Sequence, residues 1–273
     1  MGIFSESDKV KSGEGYIDPD ALDLIDINRE FKTNLGIEDT LFNRFSKEEV
    51  RTLLDESGMF DILSFRGFKR TVLEIQGISE VDNRIFIKTP PGEVLVHMRL
   101  KFSQFEFKKI GESFPMVYID WLLSQNISHK KLRPKRRLFA GQEYPGLNIM
   151  NEITAFIRLL AGKIGASGVF NIPEYFHDAV LFHKNFRFLN PEKEAEFRGL
   201  LHSFRKQSLR DVSAAIHSGM VIDSKTEQPY EWHYSEMVSC TSPFLEKSLF
   251  DEEYDSIVAR ISETKKFSRK NTK

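Results

Sequence analysis

Cysteine is almost missing from this chain: Cys240 is the single copy in 273 residues. No intramolecular disulfide can form, and no cysteine-rich zinc site can be assembled. Net charge is nearly missing too, with 39 Lys and Arg against 40 Asp and Glu giving −1, so no global field steers the protein towards nucleic acid or a membrane. No apolar run reaches the length of a membrane span. The start, Met1-Gly2-Ile3-Phe4-Ser5-Glu6, lacks the basic opening and apolar core of a secretory signal, and Glu6 stands where N-myristoylation wants Ser or Thr. HExxH, GxSxG, Walker and GxGxxG patterns are all absent, and no His and acid spacing singles out a metal site. A reducing, cytoplasmic setting is the expectation, in which the triplet Asn126-Ile127-Ser128 carries no meaning as a glycosylation sequon.

What is abundant is phenylalanine, 24 copies against 7 Tyr and 2 Trp. So many apolar rings call for a substantial core or a binding groove and exclude disorder over most of the chain.

Residues 1 to about 20 are polar, with Gly13, Gly15 and Pro19, and read as a loose lead-in. Ser46 and Glu49 have the spacing of a capping box and open a helix whose apolar face is Val50, Leu53 and Leu54. Gly58 ends it, and Ile62 to Ile75 fits helix or strand by periodicity. From Asn83 the texture becomes β. Arg84–Lys88 and Glu93–Phe102 flank the turn Pro90-Pro91-Gly92 as a hairpin. Met116–Leu123 is apolar nearly throughout, as a central strand is.

A basic run, His129 to Arg137, leads to the loop Gln142–Asn148 and then to an apolar helical pattern over Ile149–Ile164. Val169–Ile172 is a short buried strand, Glu174–Phe186 is helix-like, and Phe186–Leu189 is a last short strand before Pro191. This order predicts a βαβ crossover with an added βα step. The pattern is helical from there to about Ser218, and Lys265–Lys270 is expected to fray in solvent. The reading divides the chain into a lead-in and helical region (1–60), a core (61–190) and a mainly helical C-terminal extension (191–273).

The segment Met116–Pro191 resembles the GNAT superfamily of N-acyltransferases. That family has a strand, a loop of the form Gln/Arg-x-x-Gly-x-Gly/Ala, a helix, a splayed strand, and a helix carrying Ala-x-x-Leu-Tyr-x-x-x-Gly-Phe. Here the loop is Gln142-Glu143-Tyr144-Pro145-Gly146-Leu147-Asn148, with one extra position, and Asn148 replaces the second small residue. The later motif spans Ala179–Phe188, with Phe182 at the Leu position, His183 at the Tyr position and Arg187 at the Gly position. The resemblance implies an α/β (α+β) fold with a mixed, mostly antiparallel central sheet and helices on both faces. It implies acetyl-CoA or another acyl-CoA as co-substrate and an amine acceptor as partner.

Elementary chemistry points the same way for the loop. A helix N-terminus presents unpartnered amides and the positive end of the dipole, where a pyrophosphate is a natural occupant. By the resemblance, Gln142, Gly146, Leu147, Asn148 and Ile149 would hold the pyrophosphate. The arm would lie between strands bearing Leu123 and Phe170, with Arg137 near the phosphates. His183 would protonate the departing thiolate, and Asp120, Glu174 and His177 are further acid or base candidates. A catalytically degenerate ligand-binding module and a long-chain acyltransferase using acyl-carrier protein stand as alternatives. The first is motivated by Asn148, His183 and Arg187, the second by the phenylalanine excess and the basic run.

Overall fold

A turn at Phe42-Asn43, both at positive φ, closes a small hairpin of β1 (Thr40–Leu41) and β2 (Phe45–Ser46). The computed structural model describes residues 39–79, 81–128, 138–139 and 142–270. The polar lead-in, the basic run 129–137 and with it Arg137 lie outside these.

Ser46 then caps α1 (Lys47–Glu56) as its spacing predicts: the Ser46 hydroxyl accepts from the Glu49 amide, and the Glu49 carboxylate accepts from the Ser46 amide. Such a box stabilises a helix by about 1 kcal/mol. Val50, Leu53 and Leu54 are buried on one face, each contributing roughly 1.5–3 kcal/mol by burial. The stretch left open by periodicity resolves into both states, α2 (Met59–Phe65) followed by β3 (Val72–Ser79). The β-hairpin is β4 (Asp82–Lys88) and β5 (Val94–Phe107), and β6 (Glu112–Ser124) follows antiparallel to β5.

The expected crossover is present: β6 leads to α3 (Met150–Ile164), which ends at Gly165 in the left-handed region, and then to β7 (Gly168–Asn171), parallel to β6. Next come α4 (Phe176–Phe182), β8 (Arg187–Phe188), α5 (Pro191–Ser203), α6 (Leu209–His217), β9 (Val221–Asp223), β10 (Met237–Cys240), α7 (Pro243–Leu249), α8 (Glu252–Ser262) and β11 (Phe267–Arg269).

The main sheet has seven strands in the order β3-β4-β5-β6-β7-β10-β8, and β6–β7 is its parallel pair. The fold is therefore mixed α/β with a mostly antiparallel sheet and eight helices among the described residues. Alternate residues of the central strands feed two cores. Val117, Ile119, Val169 and Met237 join the larger one, with α1, α2 and α3. Met116, Phe170 and Val238 join a smaller one, closed by Leu245 and Leu249 of α7.

Three features depart from the sequence reading. The strand β10 comes from the C-terminal segment and lies inside the sheet, between β7 and β8. The helical pattern after Pro191 breaks into two helices, with Ser208 capping the second. Lys265–Lys270, expected to fray, instead supplies β11, which pairs with β9, buries Phe267 and joins Lys265 to Asp223. No helix among the described residues is long and apolar enough to cross a membrane.

Candidate functional site

The parallel pair makes a fork. Register runs from Met116–Gly168 to Ile119–Asn171 and stops there. Yet β6 continues to Ser124, and no described residue pairs with Asp120–Ser124 on the β7 side. At the apex the ladder to β5 shifts: Arg99 faces Trp121 and Leu100 faces Ile119, so Asp120 is the extra residue of a bulge. A bulge bends and twists the strand that carries it, which turns this part of β6 away from its former partner. The result is a row of backbone donors and acceptors inside a sheet, where such groups are ordinarily paired.

The loop Gln142–Asn148 lies against the outer end of this row. The Asn126 amide donates to Pro145 O at 2.7 Å, and the Leu147 amide donates to Ser124 Oγ at 3.4 Å. Gly146 is exposed, and a Cβ there would meet only Ser124 O at 3.6 Å. The strained position is Asn148, at φ 58°, a conformation asparagine tolerates better than most residues. Leu147 and Ile149 point into the core. They could therefore serve a ligand through backbone amides. The helix α3 starts at Met150 with no side-chain cap, and Glu152 is the acidic residue of its first turn. Gln142 donates its amide to Phe139 O. Leu123 is half-buried on the free stretch, whereas Phe170 lies on the paired part, stacked on Tyr118 at 4.6 Å.

The four acid or base candidates occupy separate settings. Asp120 is joined to Arg99 and, at 3.1 Å, to Lys101, both from β5, so both its oxygens are engaged. Glu174 is exposed and hydrogen-bonded to Tyr175; burial first, and Glu174 second, push the Tyr175 hydroxyl up to about 12. His177 is buried, with Nδ1 3.0 Å from Ser213 Oγ and its ring stacked on Phe139 at 4.1 Å. It ties α4 to α6. Burial, then the charge of His217, lowers it to about 4. His183 follows the last turn of α4, and its Nε2–H donates to Glu194 at 2.8 Å.

Sequence reading missed Glu194. Its carboxylate, fully buried, also accepts from Arg198 Nε at 2.7 Å and from the Phe188 amide at 3.1 Å. It fixes the His183 ring and leaves Nδ1 as the nitrogen facing away from the carboxylate. The Glu194–Arg198 spacing of four within a helix was the available signal. Cys240 offers no ready nucleophile, because burial pushes its thiol up to about 12.

The His177 region gives a pH test. Asp178 lies 3.4 Å from His177 Nε2 and is raised to about 6, mainly by burial. His177, with its lowered value, stabilises the fold above its unfolded value, and that contribution is lost as pH falls towards about 4. Asp178 acts oppositely, because the native state holds its proton better than the unfolded one and so gains stability as pH falls through about 6. His177→Gln is therefore expected to become more stable relative to wild type on acidification from pH 7 to pH 4. Asp178→Asn is expected to become less so. Urea unfolding across that range reads both signs, and parallel curves for all three proteins would refute them.

An open groove of about 700 Å³ runs along α3 between Glu56 and Asn185, with Asn151, Thr154 and Arg158 in its wall. It contains none of the residues singled out above. No family model matches this sequence, and comparison with curated proteins finds no match either.

Proposed function

We propose that the protein is an acyl-CoA-dependent N-acyltransferase of GNAT type, transferring an acyl group, in the first instance acetyl, to an amine. The observation that carries this reading is the fork between β6 and β7. Its free edge, Asp120–Ser124, suits an extended arm bearing secondary amides, which can pair with backbone groups as a strand would. Its outer end meets the loop Pro145–Asn148 and the uncapped start of α3, where phosphates are favoured. An amide-bearing arm attached to a pyrophosphate is the chemistry of coenzyme A.

In this reading the thioester sits at the apex, beside the bulge at Asp120. A neutral amine attacks the carbonyl carbon, the C–S bond breaks, and His183, its Nε2–H held by Glu194, would give the departing thiolate a proton carried on Nδ1. The amine's proton passes to water or to a carboxylate such as Glu174. A non-catalytic binding module is the second reading. It is favoured by the separate engagements of Asp120 with two cations and of His177 with Ser213.

Titration calorimetry with CoA, acetyl-CoA and a long-chain acyl-CoA tests the site. Micromolar binding is expected, with loss in Gly146→Trp, whose indole would cover the mouth of the fork. No binding of any of the three would end the acyl-CoA reading. Binding without turnover across a panel of amines would select the second. A strong preference for the long chain, with turnover only from acyl-carrier protein, would redirect the donor.

A further inference from the structure

Asn171 is the last residue of β7 to pair with β6, opposite Ile119, and it faces Met237 of β10 on its other side. By the alternation of a strand its side chain shares a face with Val169, which belongs to the larger core. The residue is only 3% exposed, among side chains that are otherwise apolar along the strand. Its carboxamide oxygen is buried and has no hydrogen-bond donor among the described residues. A buried acceptor left empty is costly, and native proteins rarely keep one without a use. Leucine has the same γ-branching and the same number of side-chain heavy atoms and would leave no polar atom unpaired.

The position of this vacant acceptor gives it meaning. It stands where the β6–β7 ladder ends, one residue from the bulge at Asp120 on the neighbouring strand. A ligand arm that enters the fork and runs along Asp120–Ser124 reaches its inner end here. Resting on the acyl-CoA reading of the fork, we propose that Asn171 anchors the inner end of the arm by accepting a hydrogen bond from its amide N–H. The backbone edge of β6 can pair with any extended amide chain. A single buried side-chain acceptor at the apex adds a fixed stop, so that the arm's reactive end is set at one depth beside the bulge. Asn171 is thus a positioning residue. It touches the carrier arm and sets where the thioester lies.

The test is Asn171→Leu in the full chain, with thermal unfolding in the absence of ligand and calorimetry with two probes. One probe is CoA, and the other is adenosine 3′,5′-bisphosphate, the nucleotide portion without the arm. The variant is expected to melt at or above the wild-type temperature, because it removes an unsatisfied polar group. It is expected to bind CoA about tenfold more weakly, the worth of one buried hydrogen bond. Affinity for the nucleotide alone should not change. Equal CoA affinity in variant and wild type would overturn the role of Asn171 and leave the fork intact as the site. Equal weakening of both probes, or a variant that melts lower while binding CoA as wild type does, would assign Asn171 to the fold alone. A wild-type protein that binds no CoA would remove the fork reading and this inference with it.

Discussion

Glu194→Ala is expected to destabilise the protein by about 2–3 kcal/mol, because the buried Phe188 amide loses its acceptor while His183 and Arg198 keep partial access to water. Three donors converge on this fully buried carboxylate: His183 Nε2, Arg198 Nε and the Phe188 amide. The substitution leaves the amide of a buried residue without an acceptor and removes the counter-charge of Arg198. Burial acts to raise the Glu194 carboxyl, but the contacts from His183, the Phe188 amide and Arg198 outweigh it and hold it below its ordinary value. Its contribution is therefore present at neutral pH and is lost as pH falls through that lowered value. Glu194→Gln keeps the shape and one or two acceptor contacts, so its loss should be roughly half as large. Urea unfolding at neutral pH ranks the three proteins. An alanine variant within about 1 kcal/mol of wild type would show that the cluster is dispensable to the fold.

Gly168→Val should be comparably damaging, for a reason of space. Gly168 begins β7 and lies between Met116 of β6 and Cys240 of β10. A Cβ there would fall 2.8 Å from Ser239 O, 2.9 Å from Met116 Cε and 3.3 Å from Cys240 Cα. The methionine tip can swing away, but the Ser239 carbonyl is backbone in the neighbouring strand. Even alanine should cost about 1–3 kcal/mol as overpacking, and valine more. The comparison is Gly146→Ala, where the added carbon meets Ser124 O at an ordinary 3.6 Å and should leave stability unchanged. Thermal or urea unfolding distinguishes the pair. If Gly168→Val melted with wild type, the strands would have to part at a cost smaller than packing at this distance allows.

The elements legible in the sequence are those whose signal is local. The capping box at Ser46 and Glu49, the turn between β4 and β5, the apolar run of β6 and the periodicity of α3 all lie within one element, and each formed where its residues predicted. The loop before α3 was legible as a loop. The sequence put weight on Gly146, yet the residue carrying the left-handed backbone is Asn148.

What escaped depends on residues far apart in the chain. The four residues of β10 are too few to show a period, and their partners lie in β7 and β8. The basic composition of Lys265–Lys270 suggested a solvated tail. Its strand character comes from β9 and from the close packing of Lys265 on Gly199. Glu194 reads as an ordinary helix-surface acid, because its burial is imposed by His183 and Phe188 from outside its helix. Asn171 was visible as a polar residue in an apolar run. Only the end of the ladder at that residue gives it a place in the candidate site.

The insertion of β10 has a consequence for synthesis on the ribosome. Until Met237–Cys240 has emerged, β7 and β8 have no common neighbour, and each offers an open edge to any extended chain nearby. More than sixty residues separate Asn171 from Met237, so the nascent protein must carry those edges through the making of α4, α5 and α6. Translation pausing in that interval would prolong the exposure, and stop codons falling there would produce chains with a sheet that cannot close.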